Sequence, residues 1–188
     1  MINPLKQQLR QQLLQMRQDI PPELRPQMNA VIRETLLALP EVADASTIFC
    51  FISFDDEVDT HELIKLLQQQ GKAICVPKTL KGGKMAAIPL PSWDDLETDS
   101  FGILVPRSSQ PTSSKIDLSL TPGLGFSPTG QRLGYGAGYY DNWFAENEVQ
   151  YKVGIGFDCQ VLDEIPVDES DVPLDKIVTE KNIYITGK

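Results

Sequence analysis

Apolar residues near the start of the chain repeat at the spacing of an amphipathic helix. The repeat predicts a helix over residues 5–19, which Pro21 ends because proline cannot continue a helix. A second helix is predicted over residues 22–39, and Pro40 ends it. We therefore expect two helices before the first strand.

Further along the chain, short apolar runs alternate with helical patterns. Residues 47–53 form a nearly continuous apolar run, as in a strand that is covered on both faces. Thr60 is expected to cap a helix over residues 61–70, and a strand over residues 72–76 follows, bounded by Pro77. This order is typical of a β-α-β unit.

The same reading covers the rest of the chain. A helix is predicted over residues 139–147, and further strands over 85–90, 116–120, 153–157, 177–179 and 183–185. Strands that alternate with helices favour an α/β fold, a three-layer α/β/α sandwich with an open, mostly parallel sheet preceded by the two N-terminal helices. No repeat or linker divides the sequence, so residues 1–188 are expected to form one domain.

Charge and cysteine content narrow the function. The formal net charge of -9 repels phosphate backbones and anionic lipid headgroups, so neither nucleic acid nor membrane is an expected partner. Three widely separated cysteines are expected to be free thiols, and the first residues do not resemble a signal peptide. We expect a cytoplasmic, monomeric protein that acts on a small molecule.

The segment 121–141, TPGLGFSPTGQRLGYGAGYYD, carries the most chemistry. It follows a predicted strand and precedes a predicted helix, where ligands bind in open α/β sheets. Gly134, Gly136 and Gly138 would let the backbone approach a phosphate, although their spacing matches neither the dinucleotide-binding nor the P-loop motif. Arg132 could neutralise phosphoryl oxygens, and Asp141 could hold Mg²⁺. Alternatively, the glycines only make tight turns and Asp141 only charges the start of a helix.

The first helix carries a second basic group. Lys6, Arg10 and Arg17 fall on one helical face, so they could reach one anion. The alternative is a solvated basic face, which is common on surface helices. From the residues alone, both interpretations stay open.

The glycine segment resembles the signature of the 5-formyltetrahydrofolate cyclo-ligase family, also called methenyltetrahydrofolate synthetase. The likeness lies in its proline-glycine, arginine-leucine-glycine, alternating glycines and tyrosine-tyrosine-aspartate. It extends to Lys6 and Arg10, to residues 52–60 and to the acidic motif at 165–171, and so covers essentially the whole chain. Ser127 and Asn142 differ from the family pattern, which often has aspartate and arginine there, and Tyr135 and Ala137 fill slots where some members carry basic residues.

The resemblance implies an enzyme that converts 5-formyltetrahydrofolate to 5,10-methenyltetrahydrofolate, with ATP as co-substrate, Mg²⁺ as metal, and release of ADP and phosphate. It implies Arg132 and Lys6 as catalytic residues. The implied ATP-binding residues are Lys6, Arg10, Arg132, Leu133, Gly134, Tyr135, Gly136, Ala137, Gly138, Tyr139 and Tyr140. The implied folate-binding residues are Ile52, Glu57, Phe101, Tyr135, Gly136, Gly138 and Tyr139, and the implied metal ligands are Asp141 and Asp171.

Other interpretations stay beside this one. A non-catalytic folate- or nucleotide-binding protein could keep the same fold, and a sugar-phosphate enzyme could share the layout, although one histidine and no general-base motif weaken that case. His61 and Arg17 are expected at the surface. Sequence alone does not choose Asp171 over Asp168 or Asp175 as the second metal ligand.

Overall fold

The computed structural model describes residues 4–99 and 102–186. The helices are α1 (Pro4–Gln18), α2 (Arg25–Leu37), α3 (Pro40–Asp44), α4 (His61–Gln69) and α5 (Tyr139–Glu146). The strands are β1 (Thr47–Cys50), β2 (Ala73–Thr79), β3 (Met85–Pro89), β4 (Leu96–Thr98), β5 (Leu104–Pro106), β6 (Ile116–Pro122), β7 (Gly125–Phe126), β8 (Arg132–Leu133), β9 (Val149–Ile155), β10 (Lys176–Val178) and β11 (Ile183–Ile185). Within these two ranges, no helix has the length and apolar character needed to cross a membrane.

Seven strands form the main sheet in the order β11-β10-β9-β6-β1-β2-β3. The five strands from β10 to β2 run parallel, and the edge strands β11 and β3 run antiparallel to their neighbours. The open, mostly parallel sheet is confirmed. Because parallel strands end at the same edge of a sheet, the carboxyl ends of β1, β2 and β6 lie side by side.

Alternate residues of β1 face different helices. Ile48 and Cys50 pack in the apolar cluster that contains the buried residues of α2, α3 and α4. Phe49, between them, packs against Trp143 of α5, with ring centroids 4.5 Å apart. Helices therefore cover both faces of the sheet, which confirms the three-layer sandwich.

Strand β1 is shorter than its apolar run. It ends at Cys50, although the run predicts a strand to residue 53. Phe51 is buried and Ile52 half-buried, but both line a cavity beyond the strand end instead of pairing in the sheet. The apolar run therefore predicts the burial of these residues correctly, but it predicts the end of the strand wrongly.

The predicted cap of α4 is also different. The Thr60 hydroxyl donates to the Phe51 carbonyl (2.8 Å) and accepts from the Ser53 N–H (2.9 Å). The helix is capped instead by Asp59, whose carboxylate accepts from the N–H of His61 (2.9 Å). Thr60 thus shapes the turn that follows β1.

The expectation that Pro77 bounds the strand is wrong, and so is the expectation of two helices before β1. Strand β2 continues through Pro77 to Thr79, because β1 pairs with it only as far as Cys75 and a proline N is tolerated where a strand has one neighbour. Pro40 ends the second helix but also begins α3, so three helices precede β1. Proline is favoured in the first turn of a helix, since its missing N–H would have no partner there.

The glycine-rich segment contains the hairpin β7–β8, and α1 packs against it. Leu13 of α1 lies in one buried cluster with Leu124, Leu133 and Ile165. This contact brings the basic face of α1 to the carboxyl edge of the sheet.

Candidate active site

A cavity of about 710 Å³ lies at the carboxyl ends of the central strands. It brings together residues up to 165 positions apart in the sequence. The sequence-predicted site residues that line it are Lys6, Arg10, Ile52, Glu57, Arg132, Leu133, Gly134, Tyr135, Gly136, Ala137, Gly138, Tyr139, Tyr140, Asp141 and Asp171. Phe101, the remaining one, lies outside the described residues.

Lys6 stands at the start of α1 and is only 5 % exposed. Its ammonium group donates to Asp168 (2.6 Å) and to Asp171 (2.5 Å). Burial by itself disfavours the charged form, but the two carboxylates outweigh it, so the pKa of Lys6 is raised. The side chain is a fixed cation in the cavity wall, which excludes the solvated-face interpretation for Lys6.

Arg10, one turn further along α1, meets the glycine segment. Its Nε donates to the carbonyl of Gly134 (2.9 Å). Gly136 has a φ of 109°, and a Cβ there would come within 3.3 Å of the Arg10 guanidinium. Gly138, with a φ of 66°, precedes α5 as its N-cap. A left-handed backbone and the close approach of Arg10 both explain glycine at position 136.

Arg132, in β8, lines the same cavity. Its Nη2 donates to the Asp141 carboxylate (2.8 Å), and its guanidinium lies 5.5 Å from the centre of the Tyr140 ring. No acceptor among the described residues bonds to its buried Nε, or to the buried hydroxyl of Tyr140. The Tyr140 ring also packs against that of Phe49, with ring centroids 5.8 Å apart.

A hydrogen-bonded chain joins the glycine segment to Glu57, which also lines the cavity. The Tyr135 hydroxyl donates to Glu57 Oε1 (2.6 Å), and Arg17 Nη1 donates to the Tyr135 oxygen (3.2 Å). Arg17 Nη2 also donates to Asp56 (2.5 Å). Burial raises the pKa of Glu57, and the donors around it offset this only in part. The expectation of a surface Arg17 is wrong, because the residue is 3 % exposed beneath the turn that carries Asp56 and Glu57.

The two predicted metal ligands are neighbours in the fold. The N–H of Val172, directly after Asp171, donates to Asp141 (3.1 Å), and both aspartates line the cavity. Among residues 4–99 and 102–186, no group of three His, Cys, Asp or Glu side chains is arranged to hold a metal. The pair fits Mg²⁺ bound by two carboxylates, with phosphate and water oxygens as its other ligands.

The structure also separates the candidates that the sequence left open. Asp168 lines the cavity and shares Lys6 with Asp171, whereas Asp175 accepts from the backbone N–H of Lys152 (2.8 Å) and does not line the cavity. The sequence had left Asp168 as an alternative to Asp171, since three aspartates in one acidic loop are equivalent in sequence. Its pairing with Lys6 spans 162 positions, which no local pattern reveals.

Three further residues differ from expectation or from the family pattern. His61 is half-buried, with Nε2 2.9 Å from the Ser53 carbonyl and its ring against Trp93, outside the cavity lining. Ser127 is fully buried in the β7–β8 turn, where its hydroxyl bonds to that of Thr129 (2.8 Å), also outside the lining. Asn142 lines the cavity.

The chain is similar to known proteins in both sequence and fold. Over 179 residues the chain is 32 % identical to the 5-formyltetrahydrofolate cyclo-ligase of Escherichia coli K12, covering 90 % of this chain and 97 % of that protein. It is 31 % identical over 196 residues to the mouse 5-formyltetrahydrofolate cyclo-ligase, covering 95 % of each. The NMR structure of Aquifex aeolicus 5,10-methenyltetrahydrofolate synthetase superposes with a TM-score of 0.85 at 29 % identity, covering 98 % of this chain and 94 % of that one.

The family comparison covers nearly the whole sequence. The 5-formyltetrahydrofolate cyclo-ligase family matches residues 2–180, a span that contains every wall of the cavity. With the family match and these relatives, the chain belongs to the 5-formyltetrahydrofolate cyclo-ligase family.

Proposed function

We propose that this chain converts 5-formyltetrahydrofolate to 5,10-methenyltetrahydrofolate, with ATP and Mg²⁺, releasing ADP and phosphate. The observation that carries the proposal is that two chemically different groups of residues line one cavity; we call them the basic wall and the folate wall. The basic wall consists of Lys6, Arg10 and Arg132 with the glycine backbone, and the folate wall consists of Glu57 and Ile52. The first suits a triphosphate, and the second suits a flat heterocycle with N–H donors.

On the basic wall, Arg132 and Lys6 are the proposed catalytic residues. Arg10 and residues 133–140 would hold ATP, with the backbone of the glycine segment against its phosphates and the start of α5 beyond them. Lys6 and Arg132 now pair with Asp171 and Asp141. The cations and the proposed metal ligands therefore balance one another before substrate arrives.

Asp141 and Asp171 are the residues that would hold Mg²⁺. A bound Mg²⁺ would neutralise phosphate oxygens and so let a triphosphate approach two carboxylates in a protein of net charge -9. Both aspartates lie beside Lys6 and Arg132, the cations that would bind phosphate, so a metal held there would reach the same phosphates. Two protein carboxylates suffice, since Mg²⁺ takes few protein ligands and leaves the rest to phosphates and water.

The chemistry needs charge neutralisation and alignment more than a nucleophile from the protein. The formyl oxygen attacks the γ-phosphorus of ATP, and the bond from that phosphorus to ADP breaks. The N10 amine of the folate then attacks the formyl carbon and loses its proton, and phosphate leaves with the former formyl oxygen. Arg132 and Lys6 would stabilise the charge on the transferred phosphoryl group, while the folate wall would hold the formyl group in line.

On the folate wall, Glu57 would accept hydrogen bonds from the pterin ring, and Ile52 would cover one face of that ring. Tyr135, Gly136, Gly138 and Tyr139 also line the cavity and would contact both substrates. Phe101 stays a prediction for the same ligand. The half-buried position of Glu57 supports its role, because a carboxylate shielded from water recognises N–H donors strongly.

The proposal is tested by incubating purified protein with ATP, Mg²⁺ and 5-formyltetrahydrofolate. Methenyltetrahydrofolate should form, followed by its ultraviolet absorbance, with one ADP released per product. A folded sample that binds both ligands and releases no ADP would instead be the non-catalytic binding protein.

We further propose that residues 1–188 act as one monomeric domain in the cytoplasm. Size-exclusion chromatography with light scattering would test the monomer, and fractionation of cells would test the location.

A further inference from the structure

Arg17 has no role in the proposed chemistry, yet it is among the most buried charged residues of the chain. It lies in the last turn of α1, and only 3 % of its surface is exposed. Its guanidinium donates to the Tyr135 hydroxyl and to Asp56, which adjoins Glu57. Arg17 therefore contacts the hydrogen-bond donor of Glu57 and the residue before Glu57, so its charge acts on the Glu57 carboxylate.

The direction of each hydrogen bond in this chain is fixed by chemistry. Arginine has only donors, and an ionised carboxylate has only acceptors. The Tyr135 hydroxyl therefore accepts from Arg17 and donates to Glu57 Oε1. Desolvation of the hydroxyl and the nearby Glu57 charge raise the pKa of Tyr135, so the hydroxyl keeps its proton and remains a donor at neutral pH.

Both oxygens of Glu57 already accept a hydrogen bond from the protein. Oε1 accepts from Tyr135 (2.6 Å), and Oε2 accepts from the backbone N–H of Phe54 (3.0 Å). A carboxylate has about four lone-pair positions, so two stay available for a ligand. Two anchored oxygens fix the plane of the carboxylate, and with it the direction of the remaining positions.

We propose that Arg17 and the Tyr135 hydroxyl are positioning groups, which hold the Glu57 carboxylate in the orientation that accepts N–H donors of the folate heterocycle. The inference rests on the proposed function. Tyr135 thereby links the glycine segment, on which ATP would bind, to the residue that recognises the second substrate.

The charges around Glu57 agree with this arrangement. Burial raises the pKa of Glu57, the Tyr135 and Phe54 hydrogen bonds and the Arg17 charge lower it, and the Asp56 charge raises it. Arg17 also pairs with Asp56 and so weakens that repulsion. Loss of the Tyr135 donor should raise the pKa of Glu57, and a protonated Glu57 loses acceptor capacity. Folate binding should then weaken, as pH falls, at a higher pH than in the wild type.

The first test is Tyr135→Phe, which keeps the ring and removes only the hydroxyl. Tyr135 is 55 % exposed, so the variant should fold. We expect the dissociation constant for 5-formyltetrahydrofolate to rise about tenfold, as for loss of one hydrogen bond to a charged group. The constant for ATP should change much less, because the glycine segment would hold the phosphates through its backbone. The control is Tyr151→Phe in β9, outside the cavity lining, which should change neither constant.

A double-mutant cycle separates positioning from direct contact. In a Glu57→Gln background, Tyr135→Phe should add little further loss, and the upward shift of the pH profile should vanish, because both effects pass through the carboxylate. Arg17→Lys keeps the charge but lacks the planar fork that reaches Tyr135 and Asp56 together, so it should weaken folate binding as well. Its thermal unfolding checks that the chain still folds.

Three results would overturn the inference. They are an unchanged folate affinity in Tyr135→Phe, a tighter affinity, which would mean that the hydroxyl competes with the substrate, and an equal loss with or without Glu57. Absence of folate binding in the wild type would instead refute the proposed function. In that case, an NMR titration of the Glu57 carboxyl carbon in ligand-free protein still decides the matter, because an unchanged pKa in Tyr135→Phe would overturn the positioning role.

Discussion

Replacing Arg132 by Gln should separate what this residue does for stability from what it does for turnover. Arg132 is 4 % exposed at its side chain, and its partner Asp141 is 15 % exposed. The variant removes the cation and leaves the carboxylate in a largely dry environment. An exposed loop arginine could be removed with little effect on folding, but this one belongs to a buried ion pair.

The size of the stability loss follows from that pair. Removing one partner of a buried salt bridge costs about 3–5 kcal/mol. Asp141 keeps its hydrogen bond from the N–H of Val172 and some contact with water, so the loss should lie near the lower end, about 3 kcal/mol. For a chain of this size, that lowers the melting temperature by about 6–12 °C. The protein should remain folded at 25 °C.

The effect on turnover should be much larger. An arginine that stabilises a transferring phosphoryl group is worth about a thousandfold or more in kcat. We therefore expect kcat of Arg132→Gln, measured by the absorbance of methenyltetrahydrofolate at a temperature where the variant is folded, to fall at least about a thousandfold. Arg107→Gln is the matched control, because Arg107 is an exposed arginine outside the cavity lining.

A double variant tests the stability part of this expectation. Arg132→Gln with Asp141→Asn removes both charges of the pair, so stability should recover in part, while kcat should stay low because a proposed phosphate cation and a proposed metal ligand are both lost. If Arg132→Gln retains kcat within tenfold of the wild type, Arg132 does not act on the phosphoryl group. If kcat recovers together with stability in the double variant, the loss in the single variant came from misfolding.

Three further predictions concern the metal, the glycine segment and the N-terminal cation. Asp171→Asn should raise the Mg²⁺ concentration for half-maximal rate and Asp175→Asn should not, as a Mg²⁺ titration of the rate would establish; equal requirements would transfer the ligand role elsewhere. Gly136→Ala and Gly71→Ala place alanine at a positive φ and should each destabilise by about 1 kcal/mol, but only Gly136→Ala should weaken ATP binding in a calorimetric titration. Lys6→Met should raise the dissociation constant for ATP far more than that for the folate, and equal effects would contradict the place of Lys6 on the basic wall.

The sequence predicted the layers of this fold because burial leaves a local pattern. Phe49 lies between Ile48 and Cys50 in an unbroken apolar run, which indicates a strand covered on both faces, and both faces are covered. The end of that strand could not be read in the same way. Phe51 is as apolar as its predecessors, and only the cavity beyond the sheet explains its burial.

The charged residues of the site were also predicted only in part: spacing gave the helical face on which they lie, but not their partners. Helical spacing placed Lys6 and Arg17 on one face of α1, and both do face the protein interior. Spacing contains no information on what covers a face, so the contact of Arg17 with Asp56, 39 positions away, could not be derived from it. The choice of Asp171 over Asp175 likewise depends on how a loop without regular structure is folded against α1.

The fate of the formyl oxygen tests the proposed chemistry most directly. The substrate 5-formyltetrahydrofolate, labelled with ¹⁸O at the formyl group, would be turned over with ATP and Mg²⁺, and the released phosphate analysed by mass spectrometry. Transfer of the γ-phosphoryl group to that oxygen predicts one ¹⁸O atom in phosphate for each methenyltetrahydrofolate formed. Unlabelled phosphate accompanying full product formation would contradict phosphorylation of the formyl oxygen, and with it the roles proposed for Arg132 and Lys6.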